Sequence, residues 1–205
     1  RDYYASRGLG DVYKRQQQVL NLVFGLMLAR ILDASDYGMV GMLAIFSAIA
    51  STIQESGFTA ALTNQKEIRH EDYNAVFWFS TLTGVSFYLI LFFCAPLIAQ
   101  FYDKPELIGL SRIVFLSFLF GGFGIASNAY MFKTLMVKER AKIDIISLIC
   151  SGTIGVLLAL NGFAYYGLAI QTTAYIGIGS MLKFCYSPWT PTFLIDWRPL
   201  KSMFR

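Results

Sequence analysis

The sequence predicts an all-α membrane protein, a polytopic bundle of transmembrane helices, and two observations carry the prediction. Of its 205 residues, 56% are hydrophobic and 15% are charged, whereas an average soluble domain is about 25% charged. The stretch from Ile145 to Leu182 contains no Asp, Glu, Lys, Arg or His. Because a crossing helix needs roughly 20 residues, this stretch is long enough for two crossings, with a turn at Asn161-Gly162.

Long uncharged runs, separated by short polar loops, predict six transmembrane helices forming one lobe. Asp33, Ser35 and Asp36 stand before the second helix, where their side chains can accept backbone N–H bonds. Pro105 follows Lys104 at the start of the fourth helix, a position that proline favours. The predicted helices are 17–32, 37–62, 73–101, 107–133, 142–161 and 164–185.

The charges in the loops predict the orientation. Lysine and arginine concentrate after the second, fourth and sixth helices, at Lys66 and Arg69, at Lys138, Arg140 and Lys142, and at Arg198, Lys201 and Arg205. The opposite loops hold only Lys104. Positive residues favour the cytoplasmic side. We therefore expect a multi-pass protein of the bacterial cytoplasmic (inner) membrane with a cytoplasmic amino end.

The two ends of the chain are expected to lie outside the lobe of 17–185. Residues 1–16 resemble a translated sequencing adaptor and are expected to be non-native; a basic cytoplasmic tail is the alternative. The first helix is short, as if its start were lost. Residues 186–205 mix Trp189, Phe193, Trp197 and Phe204 with Arg198 and Lys201. This pattern is typical of a cytoplasmic interfacial segment leading to a missing second lobe, and a plain linker would show it equally.

Ionisable residues within the predicted spans are the candidate site residues, because burying a charge there costs roughly 2.5–3.5 kcal/mol. Arg30, Glu55 and Arg112 meet this criterion. The arginines could bind an anionic head group in a polar cavity, or extend to the outer head groups. Glu55 could instead bond nearby backbone or a loop cation. Weaker candidates for the same cavity, which could equally join helices, are Gln54, Asn128, Lys133 and Gln171.

We expect any cavity charges to come from the first, second and fourth helices, with packing, and at most Gln171, from the fifth and sixth. Glycines at 121, 122, 124, 152, 155, 177 and 179 favour close helix approach; hinges for alternating access are the alternative. His70 lies in a charged loop and is expected to be solvated.

Several functional classes are disfavoured by the sequence. The net charge is +4. The basic residues lie in short loops, where they favour the cytoplasmic side of a membrane, and they do not form the basic stripe of a nucleic-acid-binding protein. The three cysteines have no spacing that suits a metal. No nucleophile elbow or P-loop is present. We predict neither an enzyme nor a cofactor.

Three motifs resemble those of polysaccharide flippases, the Wzx-type members of the multidrug/oligosaccharidyl-lipid/polysaccharide superfamily. LARILDASDYG (28–38) resembles the family's first hairpin signature. QESGFTAALTNQ (54–65) resembles its D-x-G element, with Glu55 replacing the usual Asp. FYDKPEL (101–107) resembles its proline turn. The resemblance covers about 17–205.

The resemblance implies the amino-terminal lobe of a two-lobed flippase. Such proteins move undecaprenyl-diphosphate-linked oligosaccharide from the cytoplasmic to the periplasmic leaflet by alternating access. Its implied partners are this lipid-linked substrate with its anionic diphosphate, membrane lipid, Na⁺ or H⁺ as coupling ion, and a polysaccharide polymerase with glycosyltransferases. Arg30, Glu55 and Arg112 would belong to the cavity or its gate, and the lobe alone should not transport.

Three other functions stay open from the sequence. A cation-coupled multidrug exporter of the same superfamily needs acidic groups deep in the bundle, and Glu55 is the only carboxylate clearly inside a predicted span. A membrane-embedded enzyme of envelope biosynthesis would need a catalytic cluster. A passive assembly scaffold is the third.

Overall fold

The computed structural model describes the backbone of residues 2–55 and 69–192 and the side chains of 12–52 and 69–192. This part of the chain is helical and contains six helices: α1 (Asp2–Ile31), α2 (Ala34–Glu55), α3 (His70–Phe101), α4 (Leu107–Lys133), α5 (Val137–Leu160) and α6 (Ala164–Tyr186). Four of them, α2 to α5, are long and apolar enough to cross a membrane. The predicted helical membrane bundle is confirmed.

The predicted helix positions agree with the structure to within a few residues, except at the ends of α1 and α2. Helix α1 begins at Asp2, so residues 2–16, expected to lie outside the fold, continue the first helix; their non-native origin stays a prediction. Residues 56–62 of the predicted second helix lie outside the described residues. Helices α1 and α6 are not among the four apolar spans, because charged residues occupy the first half of α1 and Gln171, Thr172 and Thr173 interrupt α6.

The helices pack as two antiparallel pairs, α3 with α4 and α5 with α6, which are joined by contacts between α4 and α6. The most extensive contacts join α3 to α4, while α6 packs on both α5 and α4. Helix α1 lies against α5, and α2 makes lighter contacts with α3, α4 and α6. The largest core cluster contains the fully buried Leu43, Leu107, Leu110 and Phe115. We call the end where α3 and α5 begin the inner end; it is the predicted cytoplasmic side.

Glycines permit the close approach of α6 to its neighbours, as predicted. A Cβ atom added to Gly124 would lie 2.5 Å from Ser180 Oγ, and one added to Gly155 would lie 2.8 Å from Gln171 Cβ. Real Cβ atoms do not come this close, so both positions require glycine unless the helices separate. The predicted turn at Asn161-Gly162 is also confirmed, since Gly162 has φ of 82°.

The segment after α6 folds back onto the start of α3. We call residues 187–192 the strap. Trp189 is buried at 4% exposure, with its rings 5.8 Å from those of His70 and Phe77 and 6.1 Å from that of Tyr73. The indole of this residue therefore packs within the protein, and the interfacial position of the segment stays a prediction. Phe193, Trp197 and Phe204 lie outside the described residues.

Three side chains of α3, spaced four residues apart on one helix face, bond the strap. His70 Nε2 lies 3.2 Å from the Thr190 carbonyl oxygen. The Thr192 N–H donates to Asn74 Oδ1 at 2.9 Å, and Trp78 Nε1 donates to the Thr192 carbonyl at 2.9 Å. The prediction of a solvated His70 is thus half right, because the residue is exposed but its ring contacts the strap.

Candidate functional site

A polar seam runs between α5 and α6, along the uncharged stretch and the two charged residues that bound it, Asp144 and Lys183. On α6, residues at every fourth position share one face and meet a matching row on α5. Lys183 Nζ lies 3.4 Å from Asp144 Oδ1. A Cβ on Gly179 would lie 3.4 Å from Ser147 Oγ, and Gln171 lies over Gly155. The polar seam comprises Gln171, Tyr175, Gly179 and Lys183 of α6 and Asp144, Ser147, Ser151 and Gly155 of α5.

Helix α1 covers the seam with a face that is polar toward the inner end and apolar toward the outer end. Gln17 Nε2 donates to the Tyr175 hydroxyl at 3.2 Å. Phe24 packs over Gly152, whose added Cβ would lie 2.7 Å from the phenyl ring. Further out, Leu28 joins an apolar cluster with Leu32, Val156 and Ala159. The seam is therefore closed by hydrocarbon at its outer end.

Two grooves open along the seam on either side of the Gln17–Tyr175 hydrogen bond. The inner groove, about 300 Å³, is lined by Gln17 and by Arg140 and Asp144 of α5. The middle groove, about 280 Å³, is lined by Asn21, Leu148, Ser151, Gln171, Thr172 and Tyr175. No residue of the middle groove is charged, so it can offer hydrogen bonds but no net charge to a ligand.

The middle groove holds hydrogen-bonding capacity that the lobe leaves unused. Ser151 donates to the Leu148 carbonyl and Thr172 to the Leu168 carbonyl, at 3.3 and 3.0 Å, so both hydroxyls keep their acceptor capacity. Tyr175 accepts from Gln17 and keeps its own O–H to donate. The amides of Asn21 and Gln171 have no bond within the described part of the chain. Polar groups in a spanning region normally line cavities or pair.

The two predicted arginines lie on different parts of the bundle. Arg30 is exposed in the last turn of α1. Arg112 is half-buried on α4, where its guanidinium carbon lies 4.2 Å from the centre of the Phe92 ring of α3. Its Nε is buried without a bond among the described residues. The described contacts do not bring the two arginines together, and a cavity role for either stays a prediction.

The weaker candidates are similarly dispersed. Gln171 lines the middle groove. Asn128 is half-buried, and its Oδ1 has no bond within the described ranges. Lys133 is exposed in the last turn of α4. Gln54 and Glu55 end α2, and their side chains lie outside the described residues.

Sequence reasoning missed most of the seam. The origin of any cavity charges in the first, second and fourth helices stays a prediction, and the structure adds an ion pair between Asp144 and Lys183 that joins α5 to α6. These two residues bound the uncharged stretch on its two sides, and the spacing of Gln171, Tyr175, Gly179 and Lys183 was visible in the sequence. Among the described residues, no group of three or more His, Cys, Asp or Glu could hold a metal ion.

Comparison with known proteins identifies the family. The model of a family described as "Polysaccharide biosynthesis protein" matches residues 27–205. The chain belongs to this family. It is 25% identical to the teichuronic acid biosynthesis protein TuaB of Bacillus subtilis over 91% of this chain and 39% of that protein. It is 26% identical to the succinoglycan biosynthesis transport protein ExoT of Rhizobium meliloti over 87% of this chain and 36% of that protein.

A further relative is the lipopolysaccharide biosynthesis protein WzxC of Escherichia coli, 27% identical over 58% of this chain and 23% of that protein. The chain thus spans about two fifths or less of the length of these relatives. No solved structure matches. Three short motifs predicted a resemblance to Wzx-type polysaccharide transporters. The family match and these relatives confirm it.

Proposed function

We propose that the protein containing this chain is a flippase that moves a lipid-linked oligosaccharide from the cytoplasmic to the periplasmic leaflet. The observation that carries the proposal is the family match over 27–205 on a bundle of membrane helices. One relative is named a succinoglycan biosynthesis transport protein, and the other two are named for the biosynthesis of teichuronic acid and of lipopolysaccharide. The substrate would be a glycan attached to a lipid diphosphate.

The bundle supports transport by alternating access more than catalysis. Hydrogen-bonding groups line a groove between α1, α5 and α6, and an apolar cluster closes its outer end. Polar groups that line a cavity among membrane helices are typical of substrate pathways. Glycosyltransferases would supply the substrate and a polymerase would consume it.

The test is complementation of a bacterial strain that lacks its own flippase. Expression of the full-length protein should restore surface polysaccharide and remove lipid-linked oligosaccharide that accumulates on the inner leaflet. Failure to restore either, with the protein inserted in the membrane, would contradict flipping. Restored resistance to drugs without restored polysaccharide would favour the exporter.

Arg112→Ala tests the contribution of the predicted cavity charge. We expect surface polysaccharide to fall several-fold while the amount of inserted protein stays unchanged, since a guanidinium can bind diphosphate oxygens. Arg112→Lys keeps the charge beside Phe92 and serves as the matched control, with a smaller loss expected. Full export in Arg112→Ala would remove Arg112 from the transport pathway.

A further inference from the structure

The middle groove differs in chemistry from what a diphosphate requires. Phosphate groups are bound by arginine, lysine or backbone N–H groups. The middle groove presents instead two amides, one aliphatic hydroxyl and a phenol, from Asn21, Gln171, Thr172 and Tyr175, while its other polar lining residue, Ser151, is fully buried. These side chains both donate and accept hydrogen bonds without charge. A ligand that matches them must itself both donate and accept, and it must be neutral to enter a membrane interior without counter-charge.

The groups in this groove are also placed so that one ligand can reach several of them. They come from two helices, with Asn21 on α1 and Gln171 and Tyr175 on α6, while α5 contributes the buried Leu148 and Ser151 to the lining. Gln171 and Tyr175 lie one turn apart on the same face. Close packing at Gly155 fixes the Gln171 side chain against α5. Polar groups that converge on a groove between the helices of a bundle are typical of sites that orient a small ligand.

We infer that the middle groove binds a sugar ring by its hydroxyls, and that it recognises the glycan of the substrate and not the diphosphate. A volume of about 280 Å³ suits a single ring. The Gln17–Tyr175 hydrogen bond stands between this site and the inner groove. It would have to open for a sugar to pass from the inner groove, whose Arg140 and Asp144 are charged.

The inference deepens the proposed function, because it names the part of the substrate that this lobe contacts. Its test is a binding measurement on the purified chain, and it needs no transport. A failure of sugar binding therefore leaves the complementation result untouched, and a failure of complementation leaves the binding result untouched.

The experiment measures protection of an introduced thiol in nanodiscs. Thr172→Cys, at an exposed position of the groove lining, is placed in a background in which Cys94, Cys150 and Cys185 are alanine, and its rate of reaction with a water-soluble maleimide is followed. Two probes with the same alkyl chain are compared, octyl glucoside, with a neutral sugar head, and octyl phosphate, with an anionic head. Near-saturating octyl glucoside should slow labelling about fivefold, and octyl phosphate should not.

Two further variants separate binding from general effects on the bundle. Gln171→Leu should abolish protection by octyl glucoside while Cys at position 172 still reacts; Asn21→Leu serves if Gln171→Leu does not fold. Lys138→Cys lies at an exposed position in the first turn of α5, at the inner end and outside the groove lining, and neither probe should change its labelling. Protection by octyl phosphate equal to that by octyl glucoside, absence of protection by either, or equal protection at position 138 would each overturn the inference.

Discussion

The two antiparallel helix pairs of the lobe hold together by different chemistry. Between α3 and α4 the contact is built from buried apolar residues such as Val76, Phe77 and Ala126. Among the described residues, a fully buried hydrogen bond crosses it from Ser80 Oγ to the Gly122 carbonyl at 2.9 Å. Between α5 and α6 the contact is the polar seam, with an ion pair at its inner end. Yet α5 and α6 contain the long uncharged stretch from Ile145 to Leu182.

The difference shows that lack of charge in a transmembrane sequence says little about the polarity of its interfaces. Lipid tails are as apolar as leucine, so apolar residues gain little by facing another helix, and small or polar residues mediate the contact. Glycines let α5 and α6 approach, and the polar residues beside those glycines then face one another. The apolar character of the sequence predicted that these helices cross the membrane. It did not predict which side chains form the contact between them.

The largest effect is expected where the polar seam is closest. Gly155→Leu would drive a side chain into Gln171, whose Cβ would lie 2.8 Å from the new Cβ, and overpacking costs about 1–3 kcal/mol. Unfolding in mixed micelles of dodecyl sulfate and dodecyl maltoside measures the loss. Gly41→Leu, where nothing lies within 4 Å of an added Cβ, is the control. Equal stability of the two variants would show that the seam is not a tight contact.

A smaller loss of stability is expected when the hydrogen bond between α3 and α4, the apolar pair, is removed. Ser80→Ala takes the donor away from the Gly122 carbonyl, and a net loss of about 1 kcal/mol follows because a buried hydrogen bond has no water to replace it. The same unfolding assay applies. Ser86→Ala, whose hydroxyl bonds only the Leu82 carbonyl of its own helix, should change stability less. A larger loss in Ser86→Ala would reverse this assignment.

The smallest effect is expected for a single bond of the seam. Tyr175→Phe removes the acceptor of Gln17, and hydrogen bonds between membrane helices contribute about 0.6 kcal/mol on average. Thermal unfolding followed by size-exclusion chromatography should show a slight shift relative to Tyr186→Phe, at the exposed end of α6. A loss of stability larger than that of Ser80→Ala would contradict this ranking. It would mean that the Gln17–Tyr175 hydrogen bond stabilises the polar seam more than its other polar contacts do.

Much of the fold follows from the sequence, because both hydropathy and loop charge are local properties. The positions of α3, α4, α5 and α6 and the turn at Gly162 could be predicted in this way. The partners of each helix could not, since choosing among neighbours depends on which faces meet in three dimensions. Gln171 was identified as a candidate site residue because its side chain is polar and lies inside a predicted span. Asp144 and Lys183 were passed over because each stands near a helix end, where a charge is ordinary.

The strap has a mechanical consequence. Although α6 ends at Tyr186, the chain stays fastened through Thr192 to Asn74 and Trp78, on the first turns of α3. A pull on the backbone beyond Thr192 therefore loads α3 first, and α6 only through the buried Trp189. Because α3 packs extensively on α4, these two helices would move together under the force. The polar seam, between α6 and α5, would carry little of it.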